Sequence, residues 1–198
     1  MSTTLTTVRN SWFTWVTAGE FTGFLAPALA GALTSSAPLL VLAGIVEGVV
    51  LGAAQCVVLR RTFHDFDASR WIGVTALAAG FAWAIAMLAA GNAERLGTLP
   101  LPAVILLAAM SGAAVLLSLG TGQWLVLRHY VRHASNWIWA NALAWGAGLI
   151  AFTAVTTPLW QPGQTTVLIT LIGALGGLVM AATMAAITGF ALTRLVER

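Results

Sequence analysis

The chain has 198 residues, 59% hydrophobic and 8% charged, with nine Arg, no Lys and six Asp or Glu. An ordinary soluble domain carries roughly 25% charged residues, so this chain has too few polar groups to cover a water-facing surface, and the mean hydropathy of +0.91 agrees. Those figures exclude a soluble enzyme, a disordered tail and a secreted module. The pI near 10.5 comes from arginines scattered between apolar runs, a pattern that sets membrane topology rather than building a nucleic-acid face. Membrane lipids are therefore the expected surroundings, and no nucleic-acid partner is expected.

Met1 to Asn10 is polar and holds one arginine, Arg9. A helix needs about 20 mostly apolar residues to cross the hydrocarbon core. The first such segment, 12–33, carries Glu20 and Pro27. It exceeds the ~7–15-residue core of a signal peptide, so it reads as a retained span. The second, 39–59, holds Glu47 and the lone Cys56, which leaves no intrachain disulfide and no multi-thiolate zinc site. The remaining spans are 71–90, 103–127, 137–159 and 166–192, the fifth ending at a Trp160-Gln161-Pro162-Gly163 turn. No segment alternates as a barrel strand does. The predicted fold is all-α: an integral-membrane six-helix bundle forming a single transmembrane domain over 1–198.

Arginine distribution sets the expected orientation. Arg9, Arg60, Arg61, Arg70, Arg128, Arg132, Arg194 and Arg198 fall on one side of the predicted spans and Arg95 alone on the other. Both termini are accordingly expected in the cytoplasm. Trp12, Trp15, Trp71, Trp124, Trp137 and Trp139 lie near the same boundary and read as interfacial anchors. Trp160 marks the opposite face, while Trp83 and Trp145 are deeper and read as packed between helices.

The spans repeat. Gly52 to Arg60 and Gly120 to Arg128 share five of nine residues, and each stretch leads through a basic loop into a matching opening, Trp71-Ile72 or Trp137-Ile138. Gly189 to Arg194 is a weaker third copy with glycine in the glutamine's place, and Phe13 to Ala18 lies over Trp71 to Ala76. The chain thus reads as three tandem two-helix units, about 11–61, 69–129 and 135–195. Two spans per unit make the copies parallel, related by a pseudo-threefold axis along the membrane normal. These Gln-Trp-Leu-Val-Leu-Arg-type segments, complete at Gln123 to Arg128 and with Cys56 in the tryptophan's place at Gln55 to Arg60, resemble a family of uncharacterised bacterial polytopic membrane proteins. The resemblance implies the fold and a bacterial inner (plasma) membrane location, and it brings no activity.

Small residues recur every four positions at Gly19, Gly23, Pro27 and Gly31, at Gly44, Gly48 and Gly52, and at Gly177, Ala181, Ala185 and Gly189. Such stripes let helix backbones approach closely. Gln55 and Gln123 follow the stripes by three residues and are placed to bridge helices, with Thr75 and Asn141 as the natural partners; the same four could instead contact a ligand. Arg60, Arg128 and Arg194 end their spans, either as anchors against the negative helix end or as a ring for an anionic headgroup or solute.

Glu20 and Glu47 stand apart. By the ~1.5 Å rise per residue they lie within about 7 Å of each other in depth, near the midplane of consecutive antiparallel helices. An intramembrane carboxylate is costly, which makes it a functional candidate by default. No Lys, Arg or His lies at that depth, so the pair is expected to hold at least one proton. It would suit proton-coupled binding or a cationic or hydroxylated ligand; two neutral acids bonding between helices is the structural alternative. Pro27 also frees the Gly23 carbonyl.

His129 and His133 are four apart but have no thiolate or carboxylate beside them, and His64 sits in a charged loop with Asp65 and Asp67. No metal, no cofactor and no catalytic constellation is expected, so the chain does not read as an enzyme. The first functional reading is binding or transport of a small hydrophobic or cationic solute, or a lipid-like ligand, at the carboxylate pair. The alternative is a non-catalytic structural or accessory subunit, in a homo-oligomer or a larger membrane complex.

Overall fold

The computed structural model describes the backbone of residues 2–197 and the side chains of residues 5–197; Arg198, one of the arginines that set the orientation, lies outside the described residues. The described chain is helical almost throughout: α1 (Ser2–Leu33), α2 (Ala37–Thr62), α3 (Ala68–Gly91), the short α4 (Ala93–Gly97), α5 (Leu101–Leu127), α6 (Asn136–Leu159) and α7 (Thr166–Val196). All but α4 are long and apolar enough to cross a membrane, which fits a multi-pass membrane protein. Their outward faces carry Leu29, Leu77, Ile105, Leu143, Ile150 and Val167, all well exposed. Helices apolar on their outer as well as inner faces belong in lipid.

Local signals place the helix ends. Asp67 caps α3 by accepting the Arg70 backbone N–H at 3.0 Å and the Ser69 hydroxyl at 2.9 Å. Thr165 accepts the Leu168 N–H at 3.3 Å at the start of α7. Pro residues stand in the first turns of α2 and α5, where the missing N–H leaves no gap. The turn before α7 needs Gly163, whose φ is +82°, a conformation that residues with a Cβ rarely adopt. Two segments differ from expectation. The polar Ser2 to Ser11 stretch continues α1, since headgroups and water can solvate polar side chains outside the core. The 91–100 connection contains α4.

The six long helices form a closed ring in chain order, α1 against α2, then α3, α5, α6, α7 and back to α1. The small-residue stripes are contact faces. A Cβ on Gly48 would lie 2.7 Å from the Ala76 Cα, and one on Gly23 would lie 3.0 Å from the Glu47 carbonyl oxygen. The α2–α3 and α5–α6 interfaces are close at their glycines. A Cβ on Gly52 would lie 3.1 Å from the Ile72 Cα and 3.3 Å from the Thr75 Cβ, and one on Gly120 would lie 2.8 Å from the Ile138 Cα and 3.1 Å from the Asn141 Cβ.

Three tryptophans correct the sequence reading. Trp12, Trp71 and Trp137 are completely buried and pack on one another, with Trp12–Trp137 ring centroids at 5.7 Å and Trp71–Trp137 at 6.3 Å. They fill the bundle's centre at the arginine-bearing end instead of anchoring at a lipid interface. Trp15 and Trp139 are exposed, as anchors would be. On α1 Trp12 is buried whereas Phe13 is 42% exposed, and on α7 Thr188 accepts the Trp12 indole N–H.

Candidate functional site

A polar belt crosses the bundle at the arginine-bearing end. Trp71 Nε1 donates to Gln55 Oε1 at 2.9 Å, Gln123 Nε2 donates to the same oxygen at 2.8 Å and to Thr75 Oγ1 at 3.1 Å, and Trp137 Nε1 donates to Gln123 Oε1 at 2.9 Å. Trp12 Nε1 donates to Thr188 Oγ1 at 2.9 Å, tying α1 to α7. Gln55, Gln123 and Thr75 therefore meet. Asn141 does not join them; its Nδ2 donates to the Trp137 carbonyl of its own helix at 3.1 Å. The belt's indole donors all find acceptors, which is how buried polar groups stay inexpensive.

Beyond the belt, away from the arginines, lies a cavity of about 220 Å³ lined by all six long helices. One spacing organises it. Eight residues from each belt position stand Glu20 (from Trp12), Glu47 (from Gln55), Ala79 (from Trp71), Val115 (from Gln123), Trp145 (from Trp137) and Met180 (from Thr188), and all six line the cavity. By the helical rise this ring is about 12 Å from the belt. Farther out the wall adds Phe24, Trp83, Leu149 and Phe152. Exposure climbs in the same direction, from Leu119 at 3% to Leu149 at 43%, so the belt end is the floor and the mouth lies toward the far halves of α3, α5 and α6. No residue between Leu101 and Ser118 of α5 is buried.

Glu20 and Glu47 are brought to this one cavity, within electrostatic reach of each other. Their environments differ. Glu47, 5% exposed, accepts the Trp83 indole N–H at 2.8 Å. Glu20 is completely buried, and among the described residues neither carboxyl oxygen has a hydrogen-bond partner. The Trp145 Nε1 and the Thr17 hydroxyl are likewise buried and unpartnered. α1 and α2 approach closely here, since a Cβ on Gly23 would lie 3.0 Å from the Glu47 carbonyl oxygen and 3.3 Å from its Cα.

Arg60, Arg128 and Arg194 are all exposed. Arg128 lies over the Trp124 ring at 5.2 Å and Arg194 over the Phe190 ring at 4.7 Å, each four residues back on its own helix. Phe190 is 51% exposed, so Arg194 is turned to the bundle's exterior rather than to its axis. Among the described residues no group of three His, Cys, Asp or Glu side chains gathers as a metal site. His129 Nδ1 contacts the Val126 carbonyl at 3.1 Å. Missing from the sequence reading were the site roles of Trp83 and Trp145. The eight-residue interval from Trp137 to Trp145, equal to that from Trp12 to Glu20, was the available signal. No protein-family model, curated protein or solved structure matches this chain.

Proposed function

We propose that this chain is an inner-membrane protein of bacterial type, with both termini cytoplasmic, that binds a small, mostly apolar ligand in the central cavity, without catalysis, and passes it across or along the membrane. One observation carries this reading: Glu20, completely buried in the wall of an apolar cavity, with both carboxyl oxygens unpartnered. A buried polar group without a partner costs about 1–3 kcal/mol, and a purely structural bundle gains nothing by keeping one. The belt residues Gln55, Gln123, Thr75 and Asn141 serve the fold, since their bonds are made within it and none of them lines the cavity. Arg60, Arg128 and Arg194 serve as interfacial anchors near lipid headgroups.

We also infer three parallel two-helix repeats about an axis through the cavity. The ring order, the paired glycine contacts and the common eight-residue spacing support it. The rival reading, an accessory subunit, draws on the unburied far half of α5, a surface that lipid can equally cover.

Glu20→Leu tests the proposal. Glu20 makes no hydrogen bond, so the variant should fold. Thermal unfolding of both proteins in lipid nanodiscs, against a panel of small lipophilic alcohols, amines and acids, should show saturable stabilisation of the wild type that the variant lacks. Identical behaviour across the panel would sink the ligand reading and leave the accessory one.

A further inference from the structure

Two residues that line the cavity carry polar atoms with no hydrogen-bond partner among the described residues, and the two are of opposite kinds. Glu20 offers acceptor oxygens and Trp145 offers an indole N–H, each buried and unpartnered. The neighbouring Trp83–Glu47 pair shows the closed version, an indole N–H bonded directly to a carboxyl oxygen at 2.8 Å. The open pair shares one height. Glu20 is eight residues beyond Trp12 and Trp145 eight beyond Trp137, and those two rings are 5.7 Å apart.

Glu20 accepts as a carboxylate and donates as a carboxylic acid, so a group that answers it in either form and also answers the indole must be able both to donate and to accept. An ammonium can answer Glu20 but has no lone pair for the indole. A carbonyl can answer the indole and a protonated Glu20, but it has no proton for a carboxylate oxygen. A hydroxyl does both, as one O–H donor with lone pairs to spare. Apart from the Glu47–Trp83 pair the rest of the wall is apolar; α5 contributes Val115 and Leu119 to it, and none of its residues from Leu101 to Ser118 is buried. A ligand with an aliphatic chain can leave that chain in the bilayer while its head occupies the cavity.

The geometry points to a membrane-partitioned alcohol as the ligand, its hydroxyl between Glu20 and Trp145 and its aliphatic chain passing out by α5. This rests on the reading of the cavity as a ligand site. It narrows that reading from small apolar ligands in general to one head-group chemistry.

The test uses the full chain in lipid nanodiscs, with 1-decanol, decylamine and decane titrated as mole fractions. The shift of the unfolding midpoint gives an apparent affinity for each. Decanol should stabilise saturably, with decylamine and decane at least tenfold weaker. Trp145→Phe keeps the ring but removes the donor, and should weaken decanol about tenfold, one hydrogen bond's worth. Ala82→Phe fills the cavity from α3 without touching either polar group, and should abolish the decanol shift; it serves as the check should Trp145→Phe fail to fold. Tighter binding of decylamine than decanol would overturn the alcohol assignment while leaving the cavity reading intact, and so would a decanol shift unchanged by Trp145→Phe. A decanol shift that survives Ala82→Phe would place the alcohol outside the cavity. Saturable binding of none of the three probes would overturn both readings.

Discussion

The belt and the cavity predict opposite responses to replacing a buried polar side chain with leucine. Gln123 is completely buried; it donates to Gln55 and Thr75 and accepts from Trp137. Gln123→Leu removes three hydrogen bonds and leaves the Trp137 indole N–H without an acceptor. An orphaned buried donor costs about 1–3 kcal/mol. Each of the other two bonds is worth about 0.6 kcal/mol in a membrane protein, so the variant should lose about 2–4 kcal/mol. Glu20→Leu removes no bond and relieves a buried polar group, so without ligand it should match or exceed wild-type stability. Equilibrium unfolding in mixed micelles measures both. Trp137→Phe closes a double-mutant cycle with Gln123→Leu, and a coupling of at least about 1 kcal/mol is expected. A Gln123→Leu loss below about 0.5 kcal/mol, or a Glu20→Leu loss as large as that of Gln123→Leu, would refute the division into a satisfied belt and an unsatisfied site.

Three further outcomes follow from other parts of the molecule. Gly48→Ala would set a Cβ 2.7 Å from the Ala76 Cα and 2.8 Å from the Thr75 carbonyl, both backbone atoms; a loss of about 1–3 kcal/mol is expected, whereas Gly146→Ala, with nothing within 4 Å, should be neutral or better. The proposed orientation predicts that a membrane-impermeant maleimide labels His64→Cys from the cytoplasmic side and Glu94→Cys from the other, with the buried Cys56 silent; the reversed pattern would overturn it. The Arg70 backbone N–H, and after it the Ser69 hydroxyl, hold the Asp67 carboxyl below its usual value. Its stabilisation of α3 is thus complete above the ordinary Asp pKa of about 3.9 and disappears as pH falls through the lower folded value. Asp67→Ala should lower the unfolding midpoint at neutral pH and flatten its decline below about pH 4, and identical acid limbs in the two proteins would count against the cap.

The spans were legible because an apolar run of bilayer length has few other uses, and the two acids because a carboxylate inside such a run is costly. The start of α1 was not, since Ser2 to Ser11 lacks the apolar signal although its backbone is free to continue a helix. Trp12, Trp71 and Trp137 were misplaced for a physical reason. An indole near a helix end suits an interface and a polar-capped core equally well, and only the presence of Gln55, Gln123 and Thr188 opposite them decides. Trp145 was the costliest omission, because its donor role depends on Glu20, a residue far away in the chain.

The closed floor constrains how any ligand could cross. Passage from the cavity to the arginine-bearing end must part the belt, which holds five side-chain hydrogen bonds and two tryptophan ring contacts. At about 0.6 kcal/mol per bond and about 0.5–1.5 kcal/mol per aromatic pair, opening costs about 4–6 kcal/mol. That corresponds to roughly one molecule in 10³ to 10⁴ open at a time, slow enough to prevent leak and accessible enough for turnover. Weakening the belt should raise this fraction without altering the cavity. With Cys56→Ser as background, an Ala79→Cys probe in the cavity wall should react with a maleimide supplied at the arginine-bearing side. Gln55→Ala should speed that reaction by about tenfold, since it strips two bonds from the belt and orphans the Trp71 indole. Equal labelling rates with and without Gln55→Ala would mean that the belt is not the barrier, and the cavity would then be a pocket served only from its far mouth.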